Sequence, residues 1–263
     1  MESTPYRRDF IKLFSLTARY RHRYEVFRDF IEMSAISFQN AFLKDDKLEA
    51  EYLAIIARYE KPDQQRFPEL LGLLVMMLES SREDVLGSIF MELELGSDRA
   101  GQFFTPYHIS YLMAKLVGGS SREEMLGDRP FVMVQEPACG AGGMIIAYAQ
   151  HMLELGMNPQ KEMWAHCTDI DRVPAMMCYL QLSLLHIPAM VVVGCTIRQT
   201  VDRVMRTPAH LLGFWEGKVS RHYSEQSQAS PAGPDDVNGP RIVTLEPLPV
   251  MAAKLQFDMF AAG

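Results

Sequence analysis

The residues of this 263-residue sequence that could bind a ligand fall in three short strings. Residues 101–106 read GQFFTP, residues 135–143 read QEPACGAGG, and residues 168–171 read TDID. Glycines let backbone N–H groups approach a bound molecule closely, and an aspartate can accept hydrogen bonds from two hydroxyl groups. The order and spacing of the strings therefore indicate a ligand of the nucleotide type.

The middle string reads as a turn between a strand and a helix. The apolar run at 131–134 has the length and the β-rich composition of a buried parallel strand. Residues 144–155 carry apolar side chains at helical spacing. A glycine-rich turn at the start of a helix offers a ligand free N–H groups and the partial positive charge of the helix N-terminus.

The third string places an acidic residue at the end of a second predicted strand, at 163–167. Asp169 follows this strand, where a carboxylate can accept both hydroxyls of a ribose. The alternative for Asp169 and for Asp171 is capping of a helix at 173–185. We predict ribose binding by Asp169 and helix capping by Asp171.

Together with the DVLG run that begins at Asp84, the three strings resemble the S-adenosylmethionine-binding half of adenine-N6 DNA methyltransferases, in particular the modification subunits of type I restriction systems. The resemblance extends over about residues 84–196, under half of the chain. It implies an α/β fold in which an α-helical domain precedes a truncated Rossmann-like S-adenosylmethionine methyltransferase sheet. It also implies S-adenosyl-L-methionine as the cofactor.

The resemblance assigns a set of cofactor-binding residues. Phe104 to Pro106 would pack against the methionine end of the cofactor, and the glycine turn would pass beneath it. Cys195, after an apolar strand at 190–193, stands where the family has an acidic or amide side chain near the adenine amine. The predicted cofactor-binding residues are Phe104, Thr105, Pro106, Glu136, Pro137, Ala138, Gly140, Gly142, Asp169, Ile170 and Cys195.

Two positions depart from the family pattern within this site. Glu136 replaces the usual aspartate and is longer by one methylene, a mild change. Cys195 is a poor hydrogen-bond acceptor, so the cofactor would bind less tightly or its adenine would be held by other groups.

A third departure concerns catalysis, because the sequence contains no Asn or Asp followed by two prolines and an aromatic residue. In the family that tetrapeptide holds the target amine and stacks on the flipped base. Here His210 or Glu216 could accept the amine, with Phe214 or Trp215 as a stacking platform. The alternative, which we favour, is that Phe214 and Trp215 cover the end of the sheet or an interface. The catalytic residues are unknown from the sequence.

Periodicity and composition divide the chain into three predicted parts. Residues 1–97 read as a helical N-terminal domain, with apolar residues at helical spacing such as Phe10 and Phe14, and later Leu53 and Ala57. Residues 98–222 form the predicted Rossmann-like methyltransferase domain, in which residues 201–218 read as helix rather than as further strands. Residues 223–263 are predicted to be a disordered tail, since they are rich in Ser, Gln, Pro and Gly without apolar period.

Two segments suggest macromolecular partners. A basic run near the N-terminus is interleaved with aromatic residues and could contact DNA phosphates, although helices also carry arginine on solvated faces. Its members are Arg7, Arg8, Lys12, Arg19, Arg21, Arg23 and Arg28. The net charge of −7 and the pI near 5.5 restrict any affinity for DNA to a modest one unless a partner contributes.

The second segment lies at the end of the tail and reads QFDMF. It resembles the pentapeptide by which many bacterial proteins bind the replicative sliding clamp. The predicted docking residues are Gln256, Asp258, Met259 and Phe260. The alternative is a tail helix that packs back onto its own domain.

The remaining sequence features argue against a metal site and against membrane contact. The four cysteines do not pair with histidines at metal-ligand spacing, so we expect no metal. We also expect no membrane contact and a cytoplasmic protein, because no signal peptide or sufficiently long apolar stretch is present.

Three functions remain open from sequence. The first is a DNA adenine methyltransferase, or a subunit of one, with non-standard catalytic residues. The second is a protein that binds S-adenosylmethionine and is catalytically impaired or depends on a methyltransferase or specificity partner subunit, in restriction-modification or mobile-element biology. The third is a non-enzymatic adaptor tethered to a clamp or to DNA. Loss of the catalytic tetrapeptide favours the second, because catalysis needs groups positioned on the target amine.

Overall fold

The computed structural model describes residues 5–95 and 104–229. The helices are α1 (Pro5–Leu16), α2 (Arg23–Leu43), α3 (Asp46–Ile56), α4 (Lys61–Ser80), α5 (Val85–Glu92), α6 (Tyr107–Gly118), α7 (Arg122–Leu126), α8 (Gly143–Glu154), α9 (Pro159–Glu162), α10 (Arg172–Leu184), α11 (Pro208–Leu212) and α12 (Trp215–Ala229). The strands are β1 (Val132–Glu136), β2 (Met163–Asp169), β3 (Ala189–Cys195) and β4 (Thr200–Arg206). Residues up to 219 form one compact unit and those from 220 onward a second, of which the structure describes the end of α12.

The four strands form one sheet in the order β1-β2-β3-β4. The first three are parallel, and α8 and α10 make the connections between them. β4 returns antiparallel to β3, with a bulge between Val193 and Gly194. The parallel part corresponds to one half of a doubly wound sheet, in which a second half would continue beyond β1. The α/β fold with a truncated Rossmann-like sheet is therefore confirmed.

β4 is the element that the sequence did not predict, and the helical interpretation of residues 201–218 is wrong for its first part. Thr200, Val201 and Asp202 are exposed, and only Met205 of this strand is buried. An edge strand with one weakly covered face lacks the apolar alternation that identifies a strand. Its pairing with β3 is a tertiary contact, which a local sequence pattern cannot predict.

The two faces of the sheet bury different residues, because successive strand side chains point to opposite faces. On one face Val134, Ala165 and Val191 join the main core, together with the residues of α8 and α10. On the other face Phe131 and Trp164 form a smaller cluster with Trp215. The ligand turn thus begins from strands that are covered on both sides.

The helices of the N-terminal segment pack against the α/β segment through one continuous core. Helix α10 contacts the sheet on one side and α2 on the other, and every residue from Val173 to Ser183 is buried. Charged side chains add a second connection: Glu51 of α3 forms ion pairs with Arg172 and with Arg203, the latter at 2.8 Å. Burial works against ionisation of Glu51, but the two arginines hold its pKa below the usual value.

The tail begins later than predicted. Residues 223–229 continue α12 as helix, so the prediction of disorder from residue 223 is wrong for these seven positions. Side chains of this stretch are polar and could not signal a helix by apolar period. In the part of the chain that the structure describes, no helix is long and apolar enough to cross a membrane.

We expect Trp215→Ala to lower the free energy of unfolding by about 3–5 kcal/mol, the usual range for a buried large aromatic residue. Trp215 is fully buried, and its ring meets that of Phe131 edge-to-face at 5.0 Å between centroids. The matched control is Phe214→Ala: Phe214 is 81% exposed, and its loss should cost less than about 0.5 kcal/mol. Urea denaturation of both variants measures the difference; equal losses would contradict this packing.

Candidate functional site

The carboxyl ends of three adjacent parallel strands meet at one edge of the sheet. β1 ends at Glu136, β2 at Asp169 and β3 at Cys195. Ligands of open α/β sheets bind in the crevice outside these strand ends. The structure therefore brings together predicted site residues that lie as many as 59 positions apart in the sequence.

The turn after β1 has a backbone conformation that favours glycine. Gly140 and Gly142 have φ angles of 52° and 93°, which residues with a Cβ atom rarely adopt. The N–H of Gly142 donates to the carbonyl of Cys139 at 2.8 Å. α8 follows with Gly142 as its N-cap and without a side-chain cap, so its first N–H groups are available to an anionic or polar ligand group.

The side chain of Asp169 links this turn to the end of β2 by hydrogen bonds. Its Oδ2 accepts a hydrogen bond from the Gly140 N–H at 2.8 Å, and its Oδ1 accepts one from the Asp171 N–H at 2.9 Å. Each carboxylate oxygen can accept a second hydrogen bond, so acceptor capacity remains for ligand hydroxyls. Burial raises the pKa of Asp169, although these backbone donors oppose the shift.

Asp171 has the role that the sequence predicted. It is the N-cap of α10, and its Oδ1 accepts from the Val173 N–H at 2.9 Å. The neighbouring Ile170 is 73% exposed at the rim of the crevice. An exposed isoleucine at this rim could cover one face of a ligand ring.

The Phe-Thr-Pro segment lies directly beside the glycine turn. A Cβ atom on Gly140 would be 3.0 Å from Cδ1 of Phe104, so the phenyl ring packs on the glycine itself. Phe104 in turn meets Phe90 of α5 edge-to-face at 5.2 Å between centroids. Thr105 and Pro106 are exposed, and Pro106 immediately precedes α6. Residues 101–103 of the same string lie outside the described residues.

The remaining predicted positions line the ends of β1 and β3. Glu136 is half-buried, and its Oε1 accepts a long hydrogen bond of 3.3 Å from the Ala138 N–H. Burial raises the pKa of Glu136 above the usual value for a glutamate. The Pro137 carbonyl accepts from Thr196 Oγ1 at 2.8 Å, which joins the turn to the segment after Cys195.

A buried polar chain beneath the turn was not found from sequence. Gln181 of α10 donates from Nε2 to the Ala141 carbonyl and to Asp84 Oδ1, both at 2.8 Å. Asp84 also caps α5 by accepting from the Gly87 N–H. Its burial raises the pKa of the Asp84 carboxyl. A glutamine inside an otherwise apolar helix was the only available signal, because a buried amide needs partners.

The residues considered for base stacking lie at the other end of the strands. Trp164, near the start of β2, donates to His210 Nδ1 at 2.9 Å, and His210 Nε2 lies 3.2 Å from Glu216. Five residues of strand separate Trp164 from Asp169, about 16 Å at the usual rise. Burial lowers the pKa of His210, which therefore stays neutral. His210, Glu216 and Trp215 are thus remote from the crevice, and Trp215 covers the sheet as we favoured.

Phe214 does not cover the sheet, and its predicted place at an interface stays a prediction. It is 81% exposed and covers neither the sheet nor another described element. Its φ angle of 53° turns the chain between α11 and α12 and directs only the following tryptophan into the core. Adjacent aromatic residues therefore have opposite environments.

Much of the N-terminal basic run is used within the fold. Arg23 donates to the carbonyls of Phe14 and Thr17 at the end of α1, and Arg28 pairs with buried Asp29 at 2.8 Å. Arg7 pairs with Glu92 and bonds to Ser88 at 2.8 Å. These internal contacts reduce the positive charge that the run could offer to DNA.

Two further expectations concern metal and tail. Among residues 5–95 and 104–229, no group of three or more His, Cys, Asp or Glu side chains could hold a metal ion. The docking residues Gln256, Asp258, Met259 and Phe260 lie outside the described residues, and the clamp contact stays a prediction.

The match to known proteins falls on the segment that builds this site. Residues 83–203 match the family model of N-6 DNA methylases, which confirms the resemblance recognised from the motifs. No curated protein matches the chain. A crystal structure assigned to the class I S-adenosylmethionine-dependent methyltransferases, from Listeria monocytogenes, is similar at 15% identity with a TM-score of 0.36. The similarity covers 69% of this chain and about half, 51%, of that one.

We expect Gly142→Ala to destabilise the protein more than Gly156→Ala. Both glycines have positive φ angles, 93° and 73°, so both substitutions introduce backbone strain. Only at Gly142 would the new Cβ meet a neighbour, Cys178 Sγ at 3.0 Å, whereas nothing lies within 4 Å at Gly156. Overpacking of this kind typically costs about 1–3 kcal/mol. Chemical denaturation measures the difference, and equal losses would show that the turn is not packed on α10.

Proposed function

From the N-6 DNA methylase match of residues 83–203, we propose that this protein binds S-adenosyl-L-methionine at the strand-end crevice and acts as a DNA adenine-N6 methyltransferase-like protein. We propose further that it is catalytically impaired alone or depends on a partner subunit, in restriction-modification or mobile-element biology. The four free cysteines fit a reducing compartment, and we place the protein in the cytoplasm.

The observation that carries the proposal is the contact between the Gly140 N–H and Asp169 Oδ2 at 2.8 Å. It positions a partly buried carboxylate beside a turn whose φ angles favour glycine. In this arrangement Asp169 would accept the ribose hydroxyls, and the turn would lie under the rest of the ligand. A Cβ atom at Gly140 would lie only 3.0 Å from the Phe104 ring, so a side chain there would force the ring to shift.

The other site residues fit the remaining parts of the same ligand. Phe104, Thr105 and Pro106 would contact the amino-acid end, because they lie beside the start of α8. Ile170 and Cys195 would contact the adenine, as they follow β2 and β3. When bound, S-adenosylmethionine would supply the methyl group for transfer.

Dependence on a partner is supported by the groups that the crevice lacks. Asp169 would be occupied by the ribose hydroxyls in this proposal, and burial raises the pKa of Glu136. His210 and Glu216, the acceptors considered from sequence, lie at the opposite end of the strands. The acceptors considered from sequence are therefore not placed to hold a target amine at the crevice.

The surface of α6 supports the same conclusion. Its small residues Ser110, Ala114 and Gly118 are buried, and Gly118 lies against His151 of α8. Its large apolar residues face outward: Ile109, Leu112, Met113, Leu116 and Val117 are 39–79% exposed. α6 packs on α8, which connects β1 to β2, and β1 is an edge of the described sheet. We propose that the partner subunit covers this face and extends the sheet.

We expect S-adenosylmethionine and S-adenosylhomocysteine to bind with micromolar affinity in isothermal titration. Asp169→Ala should weaken binding by about 1.5–3 kcal/mol, the range for hydrogen bonds to a charged group. Asp171→Ala is the matched control, because it removes the α10 cap, costs about 1 kcal/mol of stability and leaves affinity nearly unchanged. Unaltered binding by the Asp169 variant, or no heat with either ligand, would refute the site.

We also expect the chain alone to transfer no methyl group to DNA above background, even when saturated with S-adenosylmethionine. The measurement is incorporation of labelled methyl groups into adenine-containing duplexes, with and without a candidate partner subunit. Transfer that appears only with the partner supports dependence on it. Robust transfer by the chain alone would instead establish an active enzyme with non-standard catalytic residues.

A further inference from the structure

The buried carboxylate of Asp84 has one oxygen without a hydrogen-bond partner beside the start of α8. Asp84 is 4% exposed, and its Oδ1 accepts from the Gly87 N–H and from Gln181 Nε2, both at 2.8 Å. Among residues 5–95 and 104–229, no donor meets the second oxygen, Oδ2. Buried carboxylate oxygens normally have donors, so we looked for a ligand group that would supply one.

A glycine keeps this oxygen uncovered on the side of α8. A Cβ atom on Gly143, the first residue of α8, would lie 3.1 Å from Asp84 Oδ2. The three heavy atoms nearest to that Cβ would all belong to Asp84, so no other side chain comes as close to this position. Unlike Gly140 and Gly142, Gly143 has no positive φ angle, and its backbone therefore does not call for glycine. A side chain at Gly143 would instead obstruct the space beside Oδ2.

Two contacts connect Asp84 to the glycine turn and to the Phe-Thr-Pro segment. Gln181 donates from Nε2 to the Ala141 carbonyl as well as to Asp84. Phe104, whose ring packs on the turn, also meets Phe90 of α5, the helix that Asp84 caps. Asp84 therefore lies among the elements to which the proposed function assigns the amino-acid end of the ligand.

The groups at the start of α8 complement the two charges of an amino acid. The first N–H groups of α8 have no side-chain cap and can donate to a carboxylate, but they cannot accept a hydrogen bond from an ammonium group. An ionised aspartate is purely an acceptor, and Oδ2 of Asp84 has its lone pairs free. Burial raises the pKa of the Asp84 carboxyl, and a cation beside it would favour the ionised form.

We propose that Asp84 Oδ2 accepts a hydrogen bond from the α-ammonium group of S-adenosylmethionine. The inference rests on the proposed function and deepens it, because it assigns a partner to one group at the amino-acid end of the ligand. Asp84 divides two roles between its oxygens: Oδ1 caps α5 and holds Gln181, and Oδ2 binds the ligand. The competing acceptor is Glu136, half-buried at the end of β1.

The experiment compares two ligands that differ only in the ammonium group. Isothermal titration of the full chain measures the affinity for S-adenosylhomocysteine and for its analogue in which hydrogen replaces the α-amino group. The unaltered chain should bind S-adenosylhomocysteine about 10-fold or more tightly than the analogue, as expected for a hydrogen bond between charged groups. Equal affinities would overturn the proposal without any variant. No binding of either ligand would refute the proposed function, and this inference with it.

Asp84→Asn tests the assignment to this residue. The amide keeps an oxygen for the Gly87 N–H and for Gln181, and asparagine caps a helix as well as aspartate does, but an NH₂ donor replaces Oδ2. We expect the affinity for S-adenosylhomocysteine to fall to that of the analogue, whose own affinity stays unchanged. If this buried change prevents folding, Asp84→Ser keeps a capping oxygen without the second acceptor and should give the same result.

The matched control is Asp45→Asn, because Asp45 also caps a helix, by accepting from the Lys47 N–H, but is exposed on the surface. This variant should leave both affinities unchanged. Glu136→Gln tests the competing acceptor and should keep the preference for S-adenosylhomocysteine. The proposal is overturned if an Asp84 variant weakens both ligands equally, or if the preference is lost in Glu136→Gln alone.

Discussion

The hydrogen bond from the Gly140 N–H to the Asp169 carboxylate is the contact on which the geometry of the crevice depends. A turn with φ angles of 52° and 93° has no regular ladder to hold it, so an external acceptor must fix it. Asp169 supplies that acceptor from the neighbouring strand, and a hydrogen bond to a charged group is stronger than one between neutral groups. The same carboxylate is the one that a ribose would meet, so structure and binding share one residue.

Helix α10 explains why a helical N-terminal segment and a small sheet form one core. The helix is buried along both of its sides, between the sheet and α2, and neither surface alone would cover it. The buried amide of Gln181 within this layer has specific partners, the Ala141 carbonyl and Asp84. In a low-dielectric interior such a chain specifies one arrangement, because any shift leaves a buried polar group without a partner.

The sheet and α6 suggest how such a domain could work with a second polypeptide. β1 has a neighbour on one side within the described sheet, and α6 presents large apolar residues such as Leu116 to solvent. Exposed apolar stripes of this kind commonly mark interaction surfaces. The glycine turn and Asp169 lie on β1, β2 and the start of α8, which are complete without this surface. On the proposed function, ligand binding and group transfer would be divided between two subunits.

The sequence by itself determined the elements between residues 131 and 185, because buried parallel strands and apolar helices have strong local patterns. It also determined the positions of the glycine turn, Asp169 and the Asp171 cap. Only the tertiary structure decided which side of a weak helix is buried: Ile55 of α3 lies inside, whereas Leu53 is 53% exposed. It likewise decided that β4 pairs with β3 and that Gln181 contacts the turn. These outcomes depend on residues that are distant in sequence, and the local periodicity of apolar residues cannot predict such contacts.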